Sequence, residues 1–340
     1  MTSTLRLQRQ HRRRAAWLRV AILLVLVLVV AAVSLMVGRT FYGPSTIIQV
    51  ALGEHVPGAS YTVGLLRGPR VALALCAGMA FGAAGSVFQL LLRNQLASPD
   101  IIGISSGASA VGVFAIIVFR WGQTSVSLAA VAGGIATAVL IYLLSLRDGF
   151  RGTRLILVGI GISSILHAVV TWTLSIADAW DLPTATRWLT GSLNDSTWER
   201  VVPVAIVVLV LLPLLSVANH QLSALRLGED IARIVGVPTT VTRVVIIIAA
   251  VVLIAVATAS CGPLAFVAFM SGPIAIRWAG SSANLVLSSA LVGALLVLLA
   301  DLVAQNFLGV RYPAGVITGT LGAPFLLYLL VRSHRSGGAS

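Results

Sequence analysis

The longest uncharged stretch of the chain, residues 244–276, reads VVIIIAAVVLIAVATASCGPLAFVAFMSGPIAI. A single helix of this length would measure about 50 Å, whereas the hydrocarbon core of a membrane is about 30 Å thick. Gly262-Pro263 interrupts the stretch, because proline removes a backbone donor and glycine tolerates a turn. The stretch therefore predicts two membrane helices, over about 244–260 and 264–279, of which the second is short.

The composition of the whole chain indicates that lipid is its solvent. Hydrophobic residues make up 58% of the 340 residues and charged residues 10%, against about 45–50% and about 25% in soluble domains. With a mean hydropathy of +1.01, a soluble fold of this size could not bury its apolar surface. Cys76 and Cys261 both lie in apolar runs and have neither a metal-binding spacing nor the pattern of a disulfide framework.

All 23 basic residues are arginine. The absence of lysine excludes a Walker A loop and a Schiff-base lysine, so any ATP that drives this protein is bound by another chain. The arginines occupy short connectors between apolar runs, as they do beside membrane helices. Nucleic acid is therefore not an expected partner despite the net charge of +13. No enzyme active site, metal site or cofactor site is predicted.

Nine uncharged stretches, one of them split at Gly262-Pro263, predict an all-α polytopic membrane protein with about ten spans. The stretches are 20–38, 71–92, 101–119, 121–146, 155–177, 201–219, 244–276, 278–300 and 312–331. Both termini are expected in the cytoplasm, since the count is even and 16 of the 23 arginines then lie on the cytoplasmic side. The first stretch is interpreted as a retained helix, because it is longer than the apolar core of a signal peptide.

The predicted organisation is one membrane domain between two basic tails. A cytoplasmic tail covers residues 1–16, the membrane domain covers 17–331, and a second cytoplasmic tail covers 332–340. Three connectors are too long to be simple turns. They are 39–66 and 178–200 outside, the former with a predicted surface helix over 44–52, and 220–243 inside.

The cytoplasmic connector 220–243, called the inner segment below, has an amphipathic pattern. Its middle, 225–238, predicts a short helix, because acidic residues suit the first turn, Gly236 suits the end, and apolar residues recur at helical spacing. Such a helix either lies on the membrane interface or docks in a groove of a cytoplasmic partner. The residues assigned to this contact are Leu227, Gly228, Glu229, Asp230, Ile231, Arg233, Ile234, Val235 and Gly236.

Small residues and one carboxylate stand out inside the spans. Gly78 and Gly82, like Gly103 and Gly107, have the spacing that lets membrane helices approach closely. Packing within one subunit is favoured over a dimer contact. For Asp301, near the outer end of a span, a structural hydrogen bond is favoured over ion coupling. His167 is expected to be a satisfied packing residue.

Eight motifs, in this order along the chain, resemble those of the permease subunits of ATP-binding cassette (ABC) importers for iron-siderophores and cobalamin. The resemblance extends from about residue 40 to 331. The motifs are Arg67-Gly68-Pro69-Arg70, Arg93-Asn94-Gln95-Leu96-Ala97-Ser98-Pro99-Asp100, Gly103-Ile104-Ser105-Ser106-Gly107-Ala108, Trp188-Leu189-Thr190-Gly191-Ser192-Leu193, Leu227-Gly228-Glu229 through Gly236-Val237, Gly262-Pro263-Leu264-Ala265-Phe266-Val267, Leu299-Ala300-Asp301, and Pro313-Ala314-Gly315 through Gly322-Ala323-Pro324-Phe325.

The resemblance implies a permease that moves a ferric siderophore across the cell membrane, with cobalamin or haem as alternatives. The implied partners are a second permease subunit, identical or related, two cytoplasmic ATP-binding subunits that contact the inner segment, and an extracytoplasmic binding protein. Arg67 and Arg70 are expected to point together into water at the outer start of the second span and, with Arg311, to dock the binding protein. The pathway or packing candidates are Gly78, Gly82, Asn94, Ser105, Ser106, Gly107 and Asp301.

Two departures from the family pattern affect these expectations. The segment after Phe269 lacks the histidine that the family usually has there. Gln305 stands where the family often has an arginine, and Arg311 is the candidate to replace it. The rival interpretation is an ion-coupled secondary transporter, which requires coupling carboxylates in broken helices and an inverted repeat. Neither feature is evident in the sequence.

Overall fold

The computed structural model describes residues 2–146, 152–280 and 283–337. Arg147 and Arg151 of a predicted inner connector, and residues 338–340 of the C-terminal tail, lie outside these ranges. The helices are α1 (Thr2–Met36), α2 (Pro44–Ala51), a π-helix (Ser60–Arg67), α3 (Gly68–Leu91), α4 (Pro99–Ile102), α5 (Ile104–Ile117), α6 (Gln123–Ser145), α7 (Gly152–Ser175), α8 (Leu182–Thr190), α9 (Trp198–Val217), α10 (Asn219–Leu227), α11 (Glu229–Ile234), α12 (Thr239–Cys261), α13 (Val267–Ala279), α14 (Leu285–Asn306) and α15 (Ala314–Gly337).

Eight helices of the described ranges are long and apolar enough to cross a membrane: α1, the π-helix continued by α3, α6, α7, α9, α12, α14 and α15. The shorter helices α5 and α13 occupy the two remaining predicted spans. Each of the ten predicted spans therefore corresponds to a helix, and the all-helical polytopic fold is confirmed. Helix α1 begins at Thr2, so the described part of the predicted tail 1–16 is continuous with the first span.

The uncharged stretch 244–276 breaks where the sequence predicts. Helix α12 ends at Cys261, Gly262 has a φ of +75°, and α13 follows after a short non-helical link. The backbone N–H of Ser192 donates to the carbonyl of Cys261 at 2.7 Å, and a side chain on Gly262 would press against Gly191. The break thus packs against the end of α8, and α13 begins inside the membrane domain.

Helix α3 lies at the centre of the fold, packed against α14, α12, α13 and α9. Glycines set its distance from α14, because a Cβ on Gly82 would collide with the backbone of α14, and a Cβ on Gly293 would collide with the carbonyl of Gly78. On α5, a Cβ on Gly107 would collide with Thr137 of α6. These glycines therefore pack helices within one subunit, where bare backbones can meet.

The connectors contain short helices. The surface helix predicted over 44–52 is α2. The inner segment is divided between α10, α11 and the start of α12, so the helix predicted over 225–238 is shorter than expected. Gly228 and Gly236 have φ angles of +132° and +86°, which interrupt the helix on either side of α11.

Candidate functional site

Four arginines line a cavity of about 410 Å³ between the outer ends of α1, α3 and α14. This outer basic cavity contains Arg39, Arg67, Arg70 and Arg311, and Asp301 is the one carboxylate among its described lining residues. The three arginines predicted to act together thus line one cavity, although Arg311 is far from the other two in sequence. The excess positive charge of the outer basic cavity favours an anionic partner.

Arg70 and Asp301 form a two-point ion pair within this cavity. Arg70 Nε lies 2.7 Å from Asp301 Oδ2, and Nη2 lies 2.8 Å from Oδ1. The two side chains are 20% and 10% exposed. Arg70 Nη2 also donates to Asn194 Oδ1 at 2.9 Å. Asp301 therefore joins α14 to α3, and the Arg70 guanidinium is engaged within the subunit.

Arg67 is also engaged within the subunit. Its guanidinium donates to the carbonyls of Leu35, Met36 and Thr40 at 2.8, 3.0 and 2.7 Å. Carbonyls in the last turn of a helix have no intrahelical donor, so this contact caps the outer end of α1. The prediction that Arg67 and Arg70 point together into water is wrong, because each binds acceptors on neighbouring segments.

The second span also begins earlier than predicted. The π-helix runs directly into α3, and the N–H of Gly68 donates to the carbonyl of Val63, five residues earlier. Pro69 therefore occupies the first turn of α3 proper but lies inside a longer continuous helix. Arg67 and Arg70 flank the change from π- to α-helical register rather than a free helix end.

Gln305 connects this ion pair to the loop that carries Arg311. Its Nε2 donates to the carbonyl of Tyr312 at 3.2 Å and lies 3.5 Å from Asn194 Oδ1. Arg311 is exposed and forms no salt bridge with a described residue. Gln305 thus places an uncharged link where an arginine is expected, and Arg311 is one of two exposed arginines of the cavity, with Arg39.

A second cavity, of about 580 Å³, is called the central cavity below. It is lined by parts of α4, α5, α7, α8, α13, α15 and the link between α12 and α13, and it is open on one side. One wall is polar, with Ser98, Asp100, Ser105, Ser106, Ser109, His167 and Thr190. The rest of the lining is largely apolar, with Leu189, Phe266, Phe269, Val316 and Leu326.

A carboxylate held by serine hydroxyls forms part of the polar wall. Ser105 Oγ donates to Asp100 Oδ1 at 2.6 Å, and Ser98 Oγ donates to Oδ2 at 3.3 Å. Helix α5 has 14 residues and is about 21 Å long, less than the roughly 30 Å hydrocarbon core. The polar group joins α4 to α5, because Asp100 lies in α4 and Ser105 lies in α5.

The structure separates the predicted pathway candidates. Ser105 and Ser106 line the central cavity, whereas Gly107 faces α6. Asn94 lies outside the cavity, exposed, and its Oδ1 accepts from a backbone N–H of its own turn at 2.9 Å. His167 was expected to be a packing residue, but it is exposed on α7 and lines the cavity.

The inner segment presents apolar side chains at the opposite end of the molecule from the outer basic cavity. The exposed fractions are 85% for Ile234, 67% for Leu227 and Val235, and 45% for Ile231. Ala232 is fully buried and anchors α11, and Asp230 and Arg233 are exposed. The side chain of Glu229 lies outside the described part of the structure. An apolar helix face of this kind, bordered by charges, is typical of a docking surface.

Sequence reasoning did not single out Asn194, which accepts from Arg70, or Asp100, which lines the central cavity. Asn194 follows directly after the Trp188–Leu193 motif, and Asp100 ends the motif that begins at Arg93, so both were adjacent to recognised signals. Among the described residues, no group of three or more His, Cys, Asp or Glu could hold a metal ion.

Comparisons with known proteins agree over nearly the whole chain. The chain is 37% identical over 316 residues to the ferric enterobactin transport system permease protein FepG of Escherichia coli (strain K12), covering 92% of this chain and 96% of the relative. It is 32% identical over 337 residues to the vitamin B12 import system permease protein BtuC of Salmonella typhi, covering 96% and 98%.

A solved structure of a metal-chelate type ABC transporter in an inward-facing conformation is similar with a TM-score of 0.82 and 28% identity, covering 92% of this chain and 98% of that one. The profile of the FecCD transport family matches residues 24–332. This chain, a multi-pass protein of the cell membrane, therefore belongs to the FecCD transport family.

Proposed function

We propose that this permease subunit of an ABC importer carries a ferric siderophore across the cell membrane. The observation that carries the proposal is the central cavity, a largely apolar cavity with a group of hydroxyl side chains in its lining, in a chain related to a ferric enterobactin permease. A chelate with an apolar body and polar oxygens suits such a lining, because ligand cavities combine apolar surface with a few placed polar groups. Cobalamin is the second candidate, since the vitamin B12 permease is also a relative.

The proposed route passes through the central cavity. Ser105, Ser106 and Asp100 offer oxygen partners on one side, and Phe266 and Phe269 offer apolar contact on the other. Exposed apolar side chains of α7 and α15 lie beside this cavity. We infer that a second permease subunit, identical or related, covers these faces and completes the pathway.

Energy comes from separate subunits in this proposal. Permeases of this family are transport components, and the sequence has no lysine with which to build a Walker A loop. Two cytoplasmic ATP-binding subunits would bind the apolar face of the inner segment, Leu227, Ile231, Ile234 and Val235. Its exposure supports this role, because a helix that presents spaced apolar anchors fits a groove on a partner.

The outer basic cavity is the proposed docking site for an extracytoplasmic binding protein. Arg311 and Arg39 are its exposed arginines, whereas Arg67 and Arg70 are held by carbonyls and by Asp301. Acidic side chains of the binding protein would meet Arg311 directly, with the field of Arg67 and Arg70 behind it. Charge complementarity of this kind mainly accelerates and orients the encounter.

Reconstitution tests the proposed cargo. The permease is co-purified with its ATP-binding subunits, placed in proteoliposomes with the cognate binding protein, and supplied with labelled ferric catecholate, ferric hydroxamate, ferric citrate or cobalamin. Uptake of one ferric chelate that requires ATP and the binding protein is expected. Uptake of cobalamin without any ferric chelate, or uptake driven by an ion gradient in the absence of ATP, would contradict the proposal.

A further inference from the structure

Pro273 leaves one backbone carbonyl of α13 without its usual donor in the helix. Pro273 lies in the interior of this helix and has no N–H, so it cannot donate to the carbonyl four residues earlier, that of Phe269. Phe269 is buried in the membrane domain, where an unpaired carbonyl is costly because no water can reach it. A proline in a membrane helix is tolerated when a neighbouring helix supplies the missing partner.

Gln89 of α3 supplies that partner. Its Nε2 donates to the carbonyl of Phe269 at 3.0 Å, and the Gln89 side chain is buried. This contact joins residues 180 positions apart in the chain. The amide of Gln89 therefore takes the place of the hydrogen bond that Pro273 removes.

Two glycines bring α3 and α13 close enough for this contact. A Cβ on Gly85 would collide with the carbonyl of Ala268, and a Cβ on Gly272 would collide with Gln89 Oε1. Gly85 and Gln89 are four residues apart on α3, and Ala268 and Gly272 are four residues apart on α13. The two close contacts therefore lie one turn apart on matching helix faces.

The same turn of α13 forms the apolar wall of the central cavity. Phe266 and Phe269 both line the cavity, and their ring centroids are 6.1 Å apart in an edge-to-face arrangement. The ring of Phe269 makes a second edge-to-face contact, at 6.2 Å, with Phe325 of α15. A shift of the Phe269 backbone would therefore move the cavity wall and its contact with α15.

We propose that Gln89 is a positioning residue for transport: it replaces the backbone bond lost at Pro273 and so fixes the aromatic wall of the central cavity. Gln89 acts through Phe269 rather than by touching cargo. This inference rests on the proposed transport function only for the uptake measurement. The contact between Gln89 and Phe269 can be tested in the purified permease without transport.

A double-mutant cycle tests this inference. Gln89→Leu removes the donor, and Pro273→Ala returns an N–H to the helix that can reach the Phe269 carbonyl. We expect Gln89→Leu to lower the maximal rate of ATP-dependent ferric chelate uptake about tenfold, equivalent to about 1.4 kcal/mol. The concentration of loaded binding protein that gives half-maximal uptake should stay unchanged. Adding Pro273→Ala should restore most of the lost rate.

The melting temperatures of the parent, the two single variants and the double variant are then measured in detergent. Because melting requires no transport, this measurement separates the inference from the proposed function. The inference predicts that Gln89→Leu lowers the melting temperature and that Pro273→Ala reduces this loss. Thr258→Val is the matched control, because the buried Thr258 hydroxyl has no hydrogen-bond partner among the described residues, so its removal should lower neither the melting temperature nor the uptake rate. Additive effects of the two substitutions on melting, or a Gln89→Leu protein that melts and transports like the parent, would overturn the inference.

Discussion

The two ends of the molecule use their most conspicuous residues in opposite ways. At the outer end, Arg67 and Arg70 interrupt an apolar sequence, yet the fold engages both: Arg67 caps α1, and Arg70 pairs with Asp301. At the cytoplasmic end, Ile234 and Val235 belong to an apolar pattern that is common in helices, yet they are 85% and 67% exposed.

This difference shows that charge in a sequence does not by itself mark a contact surface, and that apolar residues do not by themselves mark a core. The two regions differ in whether these side chains have binding partners within the subunit. Arg67 and Arg70 find acceptors within the subunit, whereas the apolar side chains of the inner segment are largely exposed. The four predictions below test that contrast, beginning with the largest expected effect.

The Arg70–Asp301 ion pair should contribute most to stability. Asp301→Leu leaves the mostly buried Arg70 without its carboxylate, and breaking a buried pair from one side costs about 3–5 kcal/mol. Thermal melting in detergent measures this loss. The matched control is the double variant Arg70→Leu with Asp301→Leu, which removes both charges and should melt much closer to the parent. Equal losses in the single and double variants would show that the pair is not a structural unit.

The glycine contact between α3 and α14 should make the second-largest contribution to stability. In Gly82→Ala the new methyl group collides with the carbonyl of Ser289, and overpacking of this kind costs about 1–3 kcal/mol. Gly161→Ala is the control, because nothing lies within 4 Å of a Cβ at Gly161. A lower melting temperature is expected for Gly82→Ala alone. The same melting temperature for both variants would mean that α3 and α14 separate without cost.

The inner face should affect assembly but not folding. Ile234→Glu places a charge on a side chain that is largely exposed, so melting of the isolated permease should stay near that of the parent. Its affinity for the ATP-binding subunits should fall about tenfold, or about 1.4 kcal/mol, as for an anchor residue of an interface. Leu52→Glu, on the outer side and 76% exposed, is the control. Unchanged affinity with Ile234→Glu would favour a helix that merely lies on the membrane interface.

The smallest expected effect belongs to Arg311. Exposed ion pairs contribute about 0–1 kcal/mol each, but complementary charge accelerates encounter at low salt. Arg311→Glu should slow association of the binding protein at low ionic strength, and the difference from the parent should shrink as salt is added. Arg187→Glu, an equal charge change at another exposed arginine, should have less effect. Identical association rates for Arg311→Glu and the parent at low salt would remove Arg311 from the docking site.

The sequence predicts the ten helices because membrane thickness constrains them strongly. Each span needs a minimum of apolar length, and the break at Gly262-Pro263 follows from backbone chemistry. Side-chain partners are a different problem. The bonds from Arg70 to Asp301 and from Gln89 to Phe269 join residues 231 and 180 positions apart, and the spacing of residues along the chain carries no information about such pairs.

The direction in which a side chain points could not be predicted from the sequence either. The three-residue spacing of Arg67 and Arg70 suggested one water-facing surface on a regular helix. The π-helix before Gly68 changes the register at that point, and acceptors on α1 and α14 hold the two side chains. The inner segment was predicted in part. Gly236 was expected to end its helix and has a φ of +86°, whereas Gly228, inside the helix predicted over 225–238, has a φ of +132° and interrupts it.

Photo-crosslinking from position 234 tests most directly the central claim that the inner segment binds the ATP-binding subunits of the importer. A photoreactive residue replaces Ile234 in the complete transporter in its native membrane, and the products are identified by mass spectrometry. The account predicts a crosslink to an ATP-binding subunit whose yield changes between the nucleotide-free and ATP-bound states. Crosslinks to lipid alone, under conditions in which the intact complex is present, would contradict it.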